Sequence, residues 1–183
     1  MSGSKPEATR LRVGLGRLSF PNLIEPKKTA RGDRFGTTLL LPPDYDTRFI
    51  TEACLDLCKA TWGNNPKSWP ANARKPEAVV RDAGEKQHLA GYLPGWRFIS
   101  MISSEQPGIV GFDPSQVITN PKEVYAGRWA KVSCRPFVYQ MREGVGVSLG
   151  LNNVQLLKHD SAFGRTAPTQ DFDVESEEMA DGF

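Results

Sequence analysis

Leu11, Val13 and Leu15 alternate with Arg10, Arg12, Gly14 and Gly16 in RLRVGLGRLSF. A period of two predicts a β-strand with one apolar face. The basic, proline-bearing stretch PNLIEPKKTARGD predicts a loop, and RFGTTLLLP predicts a second strand stopped by Pro42 and Pro43. The period then changes. In DYDTRFITEACLDLCKATWG, residues Phe49, Ile50, Ala53, Cys54, Leu57 and Cys58 recur at i, i+3 and i+4, which predicts a helix with one apolar stripe. Asp46 or Thr47 is placed to cap it and Gly63 to end it. NNPKSWPANARKPE, with three prolines, predicts a long loop that exposes Trp69, and loops of this size are often functional. GWRFISMISSE predicts another strand, and EVYAGRWAKVSCRPFVYQMREGVGVSLGLNNVQLLKH predicts two long strands joined near REG. Five or so strands and one helix predict a small closed or partly closed barrel.

The alternation also sorts chemistry. Within YAGRWAKVSCRPFVY, one set of alternate positions is Trp129, Lys131, Ser133, Arg135, Phe137 and Tyr139, and the other is Ala130, Val132, Cys134, Pro136 and Val138. The second set is small and apolar and suits a barrel interior. The first interleaves aromatic rings with cations at a spacing of roughly 7 Å along one face. Unpaired bases stack on such rings, and Lys and Arg neutralise phosphates with release of counterions. Stacking accepts any base, so this face predicts single-strand binding without sequence preference. Weaker candidates lie on other strands. Arg97 sits between Trp96 and Phe98, Arg17 and Ser19 precede Phe20, and Phe35 follows Arg34. Ser148, Asn152 and Asn153 carry donors for phosphates or bases.

Charge sharpens this reading. The 183 residues carry a net charge of +2, but Asp171, Asp173, Glu175, Glu177, Glu178 and Asp181 crowd into the last thirteen, which hold no Lys or Arg and end in Phe183. With those six carboxylates set aside, 23 basic residues face 15 acidic ones, a net charge of +8. A basic body with an acidic terminus points to an acidic partner for the body. The organisation expected is a loose leader over 1–9, one domain over 10–159, and a mobile acidic tail over 160–183. The leader MSGSKPEATR has no apolar core region, and no apolar run reaches the roughly 20 residues that span a bilayer. A cytoplasmic protein with no membrane partner is expected.

Cys54, Cys58 and Cys134 are too few and too oddly numbered for a disulfide framework. Cys54 and Cys58 share a helical face, but no second ligand pair follows, so buried thiols and no metal are expected. His88 and His159 stand apart from the cysteines. An enzyme would use Cys54 or Cys134 as nucleophile or hold a metal, yet no Ser/His/acid or Cys/His motif context and no phosphate-cradling glycine loop is present. A structural or virion-associated interaction protein is the remaining class. Salt-sensitive binding of single strands separates the binding module from both.

Taken in order, RLSFPNLIEPK, TTLLLP, GWRFISMISSEQPGIV, EVYAGRWAKVSCRPFVY and GVSLGLNNVQLLK resemble a family of phage single-stranded DNA-binding proteins over about residues 10–170. The terminus likewise resembles the acidic, Phe-ending tails of phage and bacterial single-strand-binding proteins. The resemblance implies a five-stranded OB-fold barrel with one helix and a disordered acidic C-terminal tail. It implies a protein that coats single-stranded DNA in phage replication or recombination inside the host cell, with no cofactor and no catalysis. It implies DNA contacts from Tyr125, Arg128, Trp129, Lys131, Arg135 and Tyr139, and the strand-face reading adds Arg17, Phe35, Trp96, Phe98, Phe137 and Asn152 to the expected DNA-binding residues. The tail would compete with DNA for the groove and recruit a partner such as the phage polymerase. NNPKSWPANARKPE is longer than the corresponding link in related chains.

Overall fold

The computed structural model describes residues 8–164. The leader through residue 7 and the acidic stretch with Phe183 lie outside the described residues. Seven strands and one α-helix are present among them: β1 (Leu11–Thr29), β2 (Gly32–Leu41), α1 (Arg48–Trp62), β3 (Arg81–Asp82), β4 (Arg97–Ser103), β5 (Gly108–Val110), β6 (Trp129–Met141) and β7 (Gly144–Leu156).

The sheet closes on itself. β1 pairs antiparallel with β2 and with β6, β2 with β4, and β6 with β7, while β4 meets β7 in parallel. The circuit β1-β2-β4-β7-β6 is a five-stranded OB-fold barrel, and it has no free edges. β3 and β5 extend the sheet beside β4 and β7.

The stretch Pro21–Thr29 was expected to be a loop and instead continues β1. Its prolines fit because the ladder breaks there: register shifts fall between Ser19 and Asn22 and between Asn22 and Lys27, bracketing Pro21 and Pro26. A bulged position has no ladder hydrogen bond for proline to forfeit, and each bulge also bends the strand.

The alternation expected in β6 is present: Ala130, Val132, Cys134 and Pro136 are buried, and Lys131 is exposed. Ala130, Val132 and Cys134 join Leu39, Leu41, Ile99, Met101, Leu149 and Leu151 in one core. α1 plugs it with Ile50, Cys54, Leu57 and Cys58, the expected stripe. Thr47 occupies the N-cap position without a side-chain cap; its Oγ1 accepts from Arg97 instead, at 2.6 Å. The Asp46 carboxylate accepts the Arg48 backbone N–H at 3.0 Å. Gly63 ends the helix at φ 96°, donating its N–H to the Lys59 carbonyl at 2.8 Å.

Trp69 is not exposed. It is 8% accessible, its ring lies 5.8 Å from that of Trp62, and its Nε1–H donates to the Gly63 carbonyl at 2.8 Å. A buried indole needs an acceptor, and the helix terminus supplies one. The start of the long loop is thereby pinned to the end of α1.

All three thiols are buried, and burial pushes Cys54 and Cys134 up to about 12 and Cys58 to about 11. The thiolate is the reactive form. The folded protein should therefore resist alkylation by iodoacetamide at pH 8 and take up three labels per chain in urea. Mass spectrometry reads both, and rapid labelling of the native protein would contradict the buried placement.

Candidate nucleic-acid interface

The inward face of the barrel is filled, so function falls to the outward face. That face is divided in two. One half is roofed by two chain segments, and the other half is open.

The first roof is the connection between β3 and β4. Leu40, Ala83, Tyr92 and Phe98 form a second small core, edged by Leu89, Trp96 and Phe163. The Tyr92 ring meets Phe98 edge-on at 5.5 Å, and its hydroxyl is 3.2 Å from Ser19 Oγ. Arg81 and Lys86 lie over the Phe98 ring at 5.1 and 5.0 Å.

The second roof is a strap beyond β7, residues 157–163. Leu157 N–H donates to the Trp129 carbonyl at 2.8 Å, and Trp129 N–H donates to the Lys158 carbonyl at 3.3 Å. Trp129 Nε1–H donates to Asp160 Oδ2 at 2.8 Å, and Lys158 Nζ lies 4.5 Å from the ring centroid. That indole bond, with the Ser161 backbone N–H and the Arg17 charge behind it, holds the Asp160 carboxyl below its usual range. Arg17 donates to the Ser161 carbonyl at 2.8 Å and stacks on Phe163 at 4.5 Å. Tyr125 stacks on His159 with centroids 5.9 Å apart. The first residues of the expected tail are thus held against the barrel.

The open half lies toward the β1–β2 and β6–β7 connections. Two hollows, of about 530 and 750 Å³, share Arg31, Arg34 and Ile102 in their linings and so form one groove. Lys27, Arg31, Arg34, Arg74 and Arg135 line it, and no carboxylate does. Phe20, Phe35, Phe137 and Tyr139 supply rings, the last two 6.3 Å apart. Phe20 is 60% exposed at φ 47°, a backbone region that costs a bulky residue about 1–3 kcal/mol and concentrates at functional sites. Ile102 is 48% exposed between the hollows. Arg31 reaches across the groove mouth to the Glu143 carboxylate and the Met141 sulfur. The Arg31 hydrogen bond lowers the Glu143 pKa.

Arg74 arrives from the long loop. Its backbone N–H donates to the Val145 carbonyl at 2.9 Å, and Val147 N–H donates to the Arg74 carbonyl at 3.1 Å. Gly146 makes this possible, because a Cβ there would sit 2.5 Å from the Arg74 Cβ. The Arg74 guanidinium is steadied by the Ala78 carbonyl at 3.0 Å and Ser148 Oγ at 3.4 Å.

The residues singled out from the sequence therefore separate. Phe35, Arg135, Phe137, Tyr139, Ser148 and Asn152 line the groove. Arg17, Trp96, Tyr125 and Trp129 gather under or beside the strap, with Trp96 and Trp129 6.2 Å apart. Arg128 is buried and structural: it pairs with Glu123 at 2.6 Å and donates twice to the Leu157 carbonyl, at 2.7 and 3.1 Å. Phe98 is 1% exposed, because the β3–β4 connection covers it. Lys131 stands apart, in a shallow hollow with Arg12 and Gln155. Asn153 serves structure, accepting Gly108 N–H at 3.1 Å. Phe20, Arg31, Arg74 and Ile102 join the groove without having been singled out. The basic loops around Arg31 and Arg74 were visible in sequence, but their convergence on one groove was not. Among the described residues no group of three or more His, Cys, Asp or Glu is placed to hold a metal. No helix among them is long and apolar enough to cross a membrane.

The profile of the family described as Enterobacter phage Enc34, ssDNA-binding protein, matches residues 9–183. No curated protein matches this chain by sequence. Among solved structures, the single-stranded DNA-binding protein from bacteriophage Enc34 in complex with ssDNA is 22% identical, with a TM-score of 0.65 over 85% of this chain and 89% of that one. A C-terminal truncation of the Enc34 protein gives 22% identity and a TM-score of 0.67 over 84% of this chain and 88% of that one. The single-stranded DNA-binding protein gp2.5 of bacteriophage T7 is 14% identical, with a TM-score of 0.64 over 93% and 97% of the two chains. At these identities the likeness establishes a shared fold.

The roofed position of Phe98 carries a stability consequence. Phe98→Ala should cost about 3–5 kcal/mol of unfolding free energy, the range for a large buried ring. Urea unfolding measures it. A loss below about 1 kcal/mol would place the ring outside the packed region, since surface changes stay near that scale.

Proposed function

Because the chain belongs to the family of phage single-stranded DNA-binding proteins represented by the Enterobacter phage Enc34 protein, we propose that it binds single-stranded DNA along the open groove. The observation that carries this is the groove's composition: five cations, four aromatic rings and no lining carboxylate between the β1–β2 and β6–β7 connections. That is the region where OB-folds bind oligonucleotides. Phe137 and Tyr139 stack bases, joined by Phe20 and Phe35. Arg34, Arg74 and Arg135 track phosphates. Neither stacking nor phosphate contact reads sequence, so any single strand is accepted, while a duplex hides the π-faces and binds less tightly. Arg17, Trp96, Tyr125 and Trp129 serve the groove indirectly by anchoring the strap.

The protein acts in phage DNA replication and recombination in the host cytoplasm, as a binding module and not an enzyme. Each thiol, the nucleophile that an enzyme reading would need, is buried with its pKa raised by burial. Residues 10–159 form the DNA-binding domain. The acidic terminus competes with DNA: its six carboxylates offer the groove an alternative to phosphate. When DNA displaces it, Phe183 becomes available to a replication protein such as the phage polymerase, a mode suited to an acidic segment with one apolar anchor.

Phe137→Ala should weaken single-strand binding by about 1–3 kcal/mol, the loss of one stacked base. Arg74→Ala should lower the slope of log K against log salt by about one. Fluorescence titration across a salt series reads both, and equal affinity of the wild-type protein for blunt duplex and single strand would defeat the proposal. Deleting 171–183 should raise affinity, most at low salt, where the Debye length is greatest. Phe183→Ala should leave DNA affinity unchanged and reduce association with the partner. A truncated protein that binds no more tightly at low salt would refute tail competition.

A further inference from the structure

β7 presents Ser148, Gly150 and Asn152 at successive outward positions along the groove. The middle one is a glycine without a backbone reason. Its φ lies outside the left-handed range, and a Cβ built there would meet nothing nearer than 3.6 Å. Neither strain nor crowding excludes a side chain. The missing side chain leaves a slot in the groove floor. Gly150 pairs with Arg135 on β6 and with Ile102 on β4, and the Phe137 ring stands 3.6 Å from the virtual Cβ. The slot therefore has a backbone floor, an aromatic wall and an exposed aliphatic wall.

Its rim carries the two buried side-chain donors that lack any partner among the described residues, Arg135 Nε and Asn152 Nδ2. Leaving such a donor unmet is destabilising, and both belong to partly exposed side chains lining the groove. Arg135 is the cross-strand partner of Gly150, and Asn152 follows Gly150 by two residues on the same face of β7. A guest that is flat, apolar on its faces and rich in acceptors on its edge would fill the space and meet both donors.

We propose that the slot above Gly150 is a socket for a single nucleobase, entered between Phe137 and Ile102 and held at its edge by Arg135 and Asn152. This rests on the reading of the groove as a single-strand site, and it adds a fixed point to binding that is otherwise a sliding track of stacks and phosphates. Every base carries ring-nitrogen or carbonyl acceptors, so the socket needs a base without selecting one.

The test fills the socket. Gly150→Val and Gly150→Ala are compared with the wild type by fluorescence anisotropy on an oligothymidylate and on an abasic oligomer of equal length and charge. Gly150→Val should lose about tenfold in affinity for oligothymidylate, within the range for one stacked base, and nothing for the abasic oligomer. Gly150→Ala should lose affinity in the same selective way and to a smaller extent. Thermal unfolding confirms that each variant is folded, and if the valine variant melts early the alanine variant, with its 3.6 Å clearance, decides. Wild-type affinity of a folded variant for oligothymidylate would overturn the socket and leave the groove reading intact. So would equal losses on both oligomers, which would place the effect on the phosphate track. Failure of the wild type to bind oligothymidylate would overturn the groove reading and the socket with it.

Discussion

The parallel contact of β4 with β7 closes the sheet, and the rest of the molecule follows from that closure. It joins Met101 to Leu149 and Ile102 to Gly150. A closed sheet has one inside, and five strands leave it room only for side chains. Each strand must give alternate residues to that interior. Everything that recognises another molecule is confined to the outward set, to the connections, or to whatever the connections carry over the outward set.

The outward set is not uniformly available. The β3–β4 connection and the strap after β7 lie across one end of the barrel, where they bury Phe98 and cover Trp129. Both roofs bring their own aromatic and charged residues, so each covered ring finds partners: Tyr92, Arg81 and Lys86 for Phe98, and Trp96, Lys158 and Asp160 for Trp129. At the other end neither roof reaches the same strands. Phe35, Phe137, Tyr139 and Arg135 line the open hollows there, and that end becomes the groove. One strand, β6, supplies both regimes within a few residues, Trp129 under the strap and Phe137 in the open.

Elements distant in sequence converge on the groove for reasons of backbone geometry. Arg31 is carried by the β1–β2 connection, which the two bulges in β1 bend over the barrel. Arg74 comes from a loop held at one end by Trp69 against the helix terminus and at the other by backbone bonds on both sides of Gly146. The strap does the opposite work. Through Arg17, Trp129 and Tyr125 it fixes where the chain leaves the barrel before the acidic residues begin, at the end away from the groove mouth.

The sequence by itself determined which strand faces are apolar, where the helix begins and ends, the burial of the cysteines, and the interleaving of rings with cations on β6. These properties have a period or a cap, and a period is written in neighbouring residues. It also carried the family resemblance and the charge split between body and terminus. Only the tertiary structure decided which part of the outward face stays open. Phe98 and Phe137 both lie on outward faces, and Arg128 and Arg135 are both cations beside aromatics on one stretch of chain. What separates the members of each pair is whether another segment of the chain folds over them. Pro21 and Pro26 read locally as loop because proline breaks ladders, and only pairing with β2 shows that the ladder is already bulged there. Covering and convergence depend on contacts between distant segments, and no local pattern records them.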